Sequence, residues 1–241
     1  MTSLSMTPSH VCVIVLVVVV KMAACTCPQI CSCRDVTNGL RAECRGRALT
    51  DHVIAAGGKF LLSVETAELD VGRNGGITTL DWLSTLTAPR MRRLYADRCA
   101  IRRISAGTFS HFQFLQYIDL SFNHIDQLFE DVFSGLPALR TLRLDNNRLD
   151  AIEPNVFRGL RLSTLRLGEN DIRELDLSAF YGAAVETLNL DRNRLGSVLG
   201  RLYTLKVRTE RRNWTELNWD DLVFDELITM GKQYGIIVGT I

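Results

Sequence analysis

The sequence predicts an α/β-type solenoid: coils of about 24 residues, each giving one short strand to a parallel β-sheet on the concave side. Three features point to it. With Asn123, Asn147, Asn170 and Asn193 set in one column, the residues three, five and eight earlier align as Leu120/Ile118/Leu115, Leu144/Leu142/Leu139, Leu167/Leu165/Leu162 and Leu190/Leu188/Val185. Leucine supplies about one residue in seven and aromatics only 7%, so the core must be branched aliphatics used many times over. Five of the 7 cysteines fall between positions 25 and 44, which suits an oxidised cap at one end. The overall balance excludes other classes. An apolar fraction of 46% rules out wholesale disorder, and 28 basic against 27 acidic residues leave no global field to hold nucleic acid.

The chain opens on ten apolar residues, VCVIVLVVVV from Val11 to Val20, followed by Lys21. This is half of what a bilayer span of ~20 residues needs. Ala23-Ala24-Cys25 offers small residues for cleavage, so residues 1–25 read as a signal peptide, with an uncleaved anchor or a lipobox at Met22–Cys25 as the alternatives. A polar, cysteine-rich segment follows at 26–63. Its four cysteines, Cys27, Cys31, Cys33 and Cys44, allow three pairings. A zinc site is disfavoured because the spacings are too tight.

From 64 to 210 the repeat runs for six to seven coils. Cys99 takes the Asn place with Ala96, Leu94 and Met91 before it, and Asn74 does so less cleanly with Val71, Leu69 and Thr66. Alternation of Leu-x-Leu has the strand period of two, so leucines face inward and the residues between them outward. Each column Asn stands where the chain leaves its strand, placed to satisfy backbone groups of adjacent coils. Ten residues further on, Phe109, Phe133, Phe157 and Phe180 form a second buried column. Cys99 is expected to be a small buried residue with no reactive role.

Pattern and period resemble the extracellular leucine-rich repeat proteins, the class of slit-like guidance proteins, Toll-type ectodomains and small proteoglycans. Cys27-Pro28-Gln29-Ile30-Cys31-Ser32-Cys33 followed by Cys44 is similar to that family's N-terminal cap. The resemblance implies a leucine-rich repeat horseshoe and bridges Cys27–Cys33 and Cys31–Cys44. It also implies a binding role without cofactor or catalysis. The C-terminal end departs from the family, since no cysteine follows Cys99. Leu202, Leu205 and Val207 suit a seventh strand, and 211–241 reads as a capping helix starting at Asp220 or Asp221, followed by an apolar tail. Asn213 begins a glycosylation sequon.

Function is expected on the exposed side of the strands. Tyr95, Tyr117, Asp119, Phe122, Arg143, Asp145, Arg166 and Asp191 project there, a mixture of Tyr and Arg of the kind that protein hot spots use. The expected partner is a protein ligand or receptor ectodomain. An alternative is sulfated, heparin-like glycosaminoglycan held by Arg90, Arg92, Arg93, Arg98, Arg102 and Arg103, since residues 34–103 carry 12 basic against 8 acidic residues. A membrane-tethered co-receptor subunit is a further alternative. No P-loop, G-x-S-x-G or H-E-x-x-H motif is present, and the 4 histidines lack metal spacing, so neither an enzyme nor a metal site is expected.

Overall fold

The computed structural model describes residues 27–55, 62–86, 88–195, 204–206 and 237–238. The signal segment, Asn213 and the helix expected near 220–231 lie outside the described residues.

The cap is an antiparallel hairpin of β1 (Ser32–Val36) and β2 (Gly39–Glu43), in register from Ser32↔Glu43 to Val36↔Gly39. Its disulfides are Cys27–Cys33 and Cys31–Cys44, the pairing the family resemblance implies. β2 then pairs in parallel with β3 (Thr66–Asp70), so the hairpin covers the open end of the first coil. Gly39 is required at this junction. Its φ is +139°, and a Cβ there would run into the carbonyl oxygen of Glu65.

The sheet continues through β4 (Arg93–Tyr95), β5 (Tyr117–Asp119) and β6 (Thr141–Arg143). Two short strands on the far side, β7 (Ala151–Ile152) and β8 (Arg161–Leu162), precede β9 (Thr164–Arg166). β10 (Glu174–Leu175) and β11 (Ala184–Val185) pair in parallel with β7 and β8, and β12 (Thr187–Asn189) rejoins the main sheet. The inward residues lie in one register row, Leu69↔Leu94↔Ile118↔Leu142↔Leu165↔Leu188. All six are buried.

Two columns hold the coils from behind. The Asn123 amide donates to Ala96 O at 2.8 Å, Leu120 O at 3.0 Å and Ser121 O at 3.3 Å, while its Oδ1 accepts from the Ile101 N–H. Asn147, Asn170 and Asn193 repeat this arrangement. Asn74 is a full member despite its poorer sequence match, bonding Cys44 O and Val71 O and accepting from Leu49 N–H. Cys99, buried as expected, supplies only two long contacts, to Val71 O at 3.4 Å and Asp97 O at 3.7 Å. Behind this column the phenylalanines stack: Phe109–Phe133 at 5.9 Å, Phe133–Phe157 at 6.1 Å and Phe157–Phe180 at 5.3 Å.

The seventh strand forms, but in the opposite direction. β13 (Thr204–Lys206) pairs antiparallel with β12, and β14 (Ile237–Val238) pairs antiparallel with β13. Fourteen residues separate Asn189 from Thr204, against twenty between Arg166 and Thr187, too few for another full coil to return in parallel.

Candidate functional site

Short strands leave room for three outward side chains per coil: one at the start of the strand, one at its end, and one two residues beyond. At the strand start stand Arg93, Tyr117, Thr141, Thr164 and Thr187, with Glu68 of the longer β3 in register with Arg93; at the end stand Asp70, Tyr95, Asp119, Arg143, Arg166 and Asn189. The third row is Gly72, Asp97, Ser121, Asp145, Gly168 and Asp191.

The sequence reading has these residues projecting from the concave sheet, but several of the carboxylates are buried on it. Asp119 is 5% exposed and Asp145 9% exposed, and Asp70, Asp97 and Ser121 are also buried. A carboxylate on a crowded sheet face loses water on all sides and must be paired. The cap provides the partners. Arg41 of β2 binds Glu68 at 3.0 Å and Asp70 at 3.3 Å, and Arg45 binds Asp97 through both nitrogens at 2.7 and 2.6 Å and Asp70 at 3.1 Å. The guanidinium of Arg45 fills the space left by Gly72, whose missing Cβ would collide with it. Hydrogen bonding to Asp97 raises the Arg45 pKa. Sequence reasoning missed both arginines because it assigned them to the cap. The available signal was that Arg41 and Arg45 are four residues apart and so share one parity along β2 and beyond, that of the outward row.

A second network lies one coil further. Arg143 donates to Asp145 at 3.2 and 3.1 Å and to Asp119 Oδ2 at 3.1 Å, which also accepts from the Tyr117 hydroxyl at 3.2 Å. Burial and then the Asp119 charge push the Tyr117 phenol up, so it stays protonated and donates. Burial alone would lower the Arg143 pKa, but its two carboxylates outweigh it and the net shift is upward.

On these networks rest the aromatics. The rings of Tyr95 and Tyr117 lie 5.1 Å apart, with the Arg41 guanidinium 5.0 Å from the Tyr95 centroid. Phe122 is 37% exposed, with Arg98 stacked 3.8 Å over its ring. Phe122 belongs to a row immediately before the Asn column, Arg73, Arg98, Phe122, Asn146, Glu169 and Arg192, in which every φ lies between 53° and 57°. Left-handed backbone at a non-glycine costs on the order of 1 kcal/mol. It persists because each turn aims an N–H at the next coil, as Phe122 N does at Asp145 O, 3.0 Å away.

The remaining expected residues divide. Arg166 is exposed at the end of β9, and Asp191 receives the Asn189 amide at 2.8 Å. The six arginines divide along the strand. Arg90, Arg92 and Arg93 lie at or before the start of β4, whereas Arg98, Arg102 and Arg103 follow its end. Arg90 pairs with Glu65, Arg93 with Glu68 at 3.7 Å, and Arg98 approaches Asp97 at 4.0 Å. Arg92 and Arg93 line a cavity of about 300 Å³ beside the β1–β2 turn, together with Asn38, Glu68 and Gln116. Among the described residues no cluster of His, Cys, Asp and Glu could hold a metal ion, and no helix is long and apolar enough to cross a membrane.

Comparison with known proteins agrees with this architecture. Residues 89–149 and 137–195 match the family described as Leucine rich repeat. Tsukushi of Gallus gallus is 31% identical over a stretch covering 55% of this chain and 36% of that protein. Platelet glycoprotein Ib alpha chain of Mus musculus is 32% identical, covering 54% and 16%. Leucine-rich repeat and fibronectin type-III domain-containing protein 4 of Rattus norvegicus is 41% identical, covering 24% and 9%. The chain thus spans 36% or less of the length of these relatives.

Proposed function

We propose that this leucine-rich repeat protein is an extracellular binding module that engages a protein ligand through its concave face around Tyr95, Tyr117 and Phe122. The observation that carries this reading is the pairing of an aromatic surface, with Phe122 exposed and Tyr95 and Tyr117 half-buried, with a locked foundation. Aromatic side chains give large contact area at small entropic cost, and cations stacked on Tyr95 and Phe122 hold the rings in place before any partner arrives. The buried Arg–Asp networks beneath them remove side-chain freedom that association would otherwise have to freeze. Two disulfides in the cap suit an oxidising, extracellular setting. Two relatives bear leucine-rich repeat or glycoprotein in their names, in keeping with such a role.

The test is a screen of the full chain against an array of receptor ectodomains and secreted proteins, repeated with Tyr117→Ala and Phe122→Ala. Each variant is expected to weaken a true ligand by about tenfold or more. Phe114→Ala, an exposed aromatic outside the concave rows, should leave it unchanged. Ligands that ignore both concave variants but are lost with Phe114→Ala would reject the concave reading.

A further inference from the structure

The left-handed row before the Asn column forms a rim of the sheet, and its two ends are charged differently. At the C-terminal end Glu169 and Arg192, neighbours on consecutive coils, form an ion pair. Arg73 and Arg98 hold the same two places four coils earlier. The Arg73 N–H bonds Asp97 O at 2.8 Å where the Glu169 N–H bonds Asp191 O at 2.7 Å, and all four residues have φ between 53° and 57°. The backbone spacing that brings a carboxylate onto a guanidinium at one end thus sets two guanidiniums side by side at the other.

The acids near this pair are committed elsewhere. Asp97 is bound through both oxygens by Arg45, and Arg98 stands 4.0 Å from it, beyond hydrogen-bond range. Asp70 is shared by Arg41 and Arg45. Among the described residues Arg73 is in no ion pair, and both rim arginines are exposed. On the cap side the row begins at Gly46, whose N–H bonds Gly72 O at 2.9 Å and where even a Cβ would meet nothing, so the space beside Arg73 is open. On the other side stands Phe122, with Arg98 stacked 3.8 Å over its ring. Stacking uses the flat face of a guanidinium and leaves its N–H edge free to donate. We propose that Arg73 and Arg98 together take one carboxylate of the protein ligand, beside its contact with Phe122. This rests on the concave reading above and gives the partner an acidic residue at the N-terminal rim. A sulfated polymer laid along the row would find no third cation before Glu169, since it meets Gly46 on one side and Phe122 and Asn146 on the other.

The probe is a random-peptide library displayed on phage, panned against the whole chain. Selected peptides are expected to share an Asp or Glu whose change to Asn or Gln weakens binding by about tenfold or more. Arg98→Gln should do the same. So should Arg73→Glu, which sets a carboxylate beside Arg98 as Glu169 lies beside Arg192 and so fills the site from within. Glu169→Gln, in the same row but at its far end, should leave binding unchanged. Circular dichroism and melting temperature like those of the wild type would show that the variants fold. Binding should also fall with rising salt. Peptides that respond to Tyr117→Ala but to neither rim variant would overturn the arginine pair and leave the concave reading standing. Peptides that respond to both rim variants but to neither Tyr117→Ala nor Phe122→Ala would support the pair and overturn the concave reading. Peptides indifferent to all four variants, or a library that returns no binder, would overturn both. Heparin retention lost with either rim variant, with no acidic peptide selected, would put sulfate in the place of the carboxylate and overturn the proposal.

Discussion

The N-terminal and C-terminal coils are pinned together by opposite means. From the cap to β4, concave side chains are consumed by Arg41, Arg45, Asp70 and Asp97, while the buried column behind them holds its weakest member, Cys99. From β6 to β12 the column is unbroken Asn147, Asn170 and Asn193, while the concave face carries threonines and an arginine without a carboxylate. A solenoid requires every pair of neighbouring coils to be held, but the holding can lie on either side of the sheet. Where the buried column suffices, the outer face need not hold the coils together.

Opening the cap is the most severe way to break this contrast. Cys31→Ser with Cys44→Ser removes a bridge enclosing the cap hairpin, with an expected loss of about 2–4 kcal/mol in a denaturant titration. Hydrogen exchange should show protection falling first in the coils before Cys99. Uniform loss through Asn193 would mean that the two regions unfold as one unit and that the contrast is only of surface chemistry. Next in size, Asn147→Ala strips three carbonyls and one buried N–H of their partner and is expected to cost about 3 kcal/mol. Cys99→Ala should cost about 1 kcal/mol, because its long sulfur contacts are weak. Equal losses at the two positions would show that the column is equally firm throughout.

On the concave side the order should reverse. Arg45→Gln removes the two-pronged guanidinium from Asp97 and leaves Asp70 with Arg41 alone; it is expected to cost about 2 kcal/mol, less than for a deeply buried pair because Arg45 is a third exposed. Arg166→Gln should change stability by no more than about 0.5 kcal/mol, since Arg166 is exposed and in no ion pair among the described residues. Chemical denaturation of both variants in low salt would decide this, and a large loss at Arg166 would show a structural role in place of an open one.

Much of this was legible in the sequence, for a physical reason: a repeat states its periodicity several times, so Leu120, Leu144, Leu167 and Leu190 identify one another. The inward row, the Asn and Phe columns and the burial of Cys99 all followed. What periodicity could not reveal is which outward residues find each other across coils. Asp119, Arg143 and Asp145 all read as outward residues, and nothing in the pattern separates a paired from an unpaired guanidinium. Arg41 and Arg45 were harder still, since these carboxylate partners are 25 to 52 residues away. The antiparallel β13 escaped because its leucine spacing suits a strand in either direction, and only the short connection decides.

The finest test grafts the C-terminal solution onto the N-terminal region. Cys99→Asn would give this coil the amide of its neighbours and is expected to gain about 1 kcal/mol. Its pH dependence separates bonding from mere filling. Burial pushes the Cys99 thiol up to about 11 from an ordinary 9.0, so the folded state favours the protonated form. That contribution is whole below pH 9 and is lost as pH rises through about 11. Asparagine does not titrate, so the advantage of Cys99→Asn over the wild type should widen across this window, while Tyr117 titrates in both proteins and largely cancels. A difference constant from pH 7 to 11 would show that the thiol is as well solvated folded as unfolded, and that Cys99 is no weak point in the column.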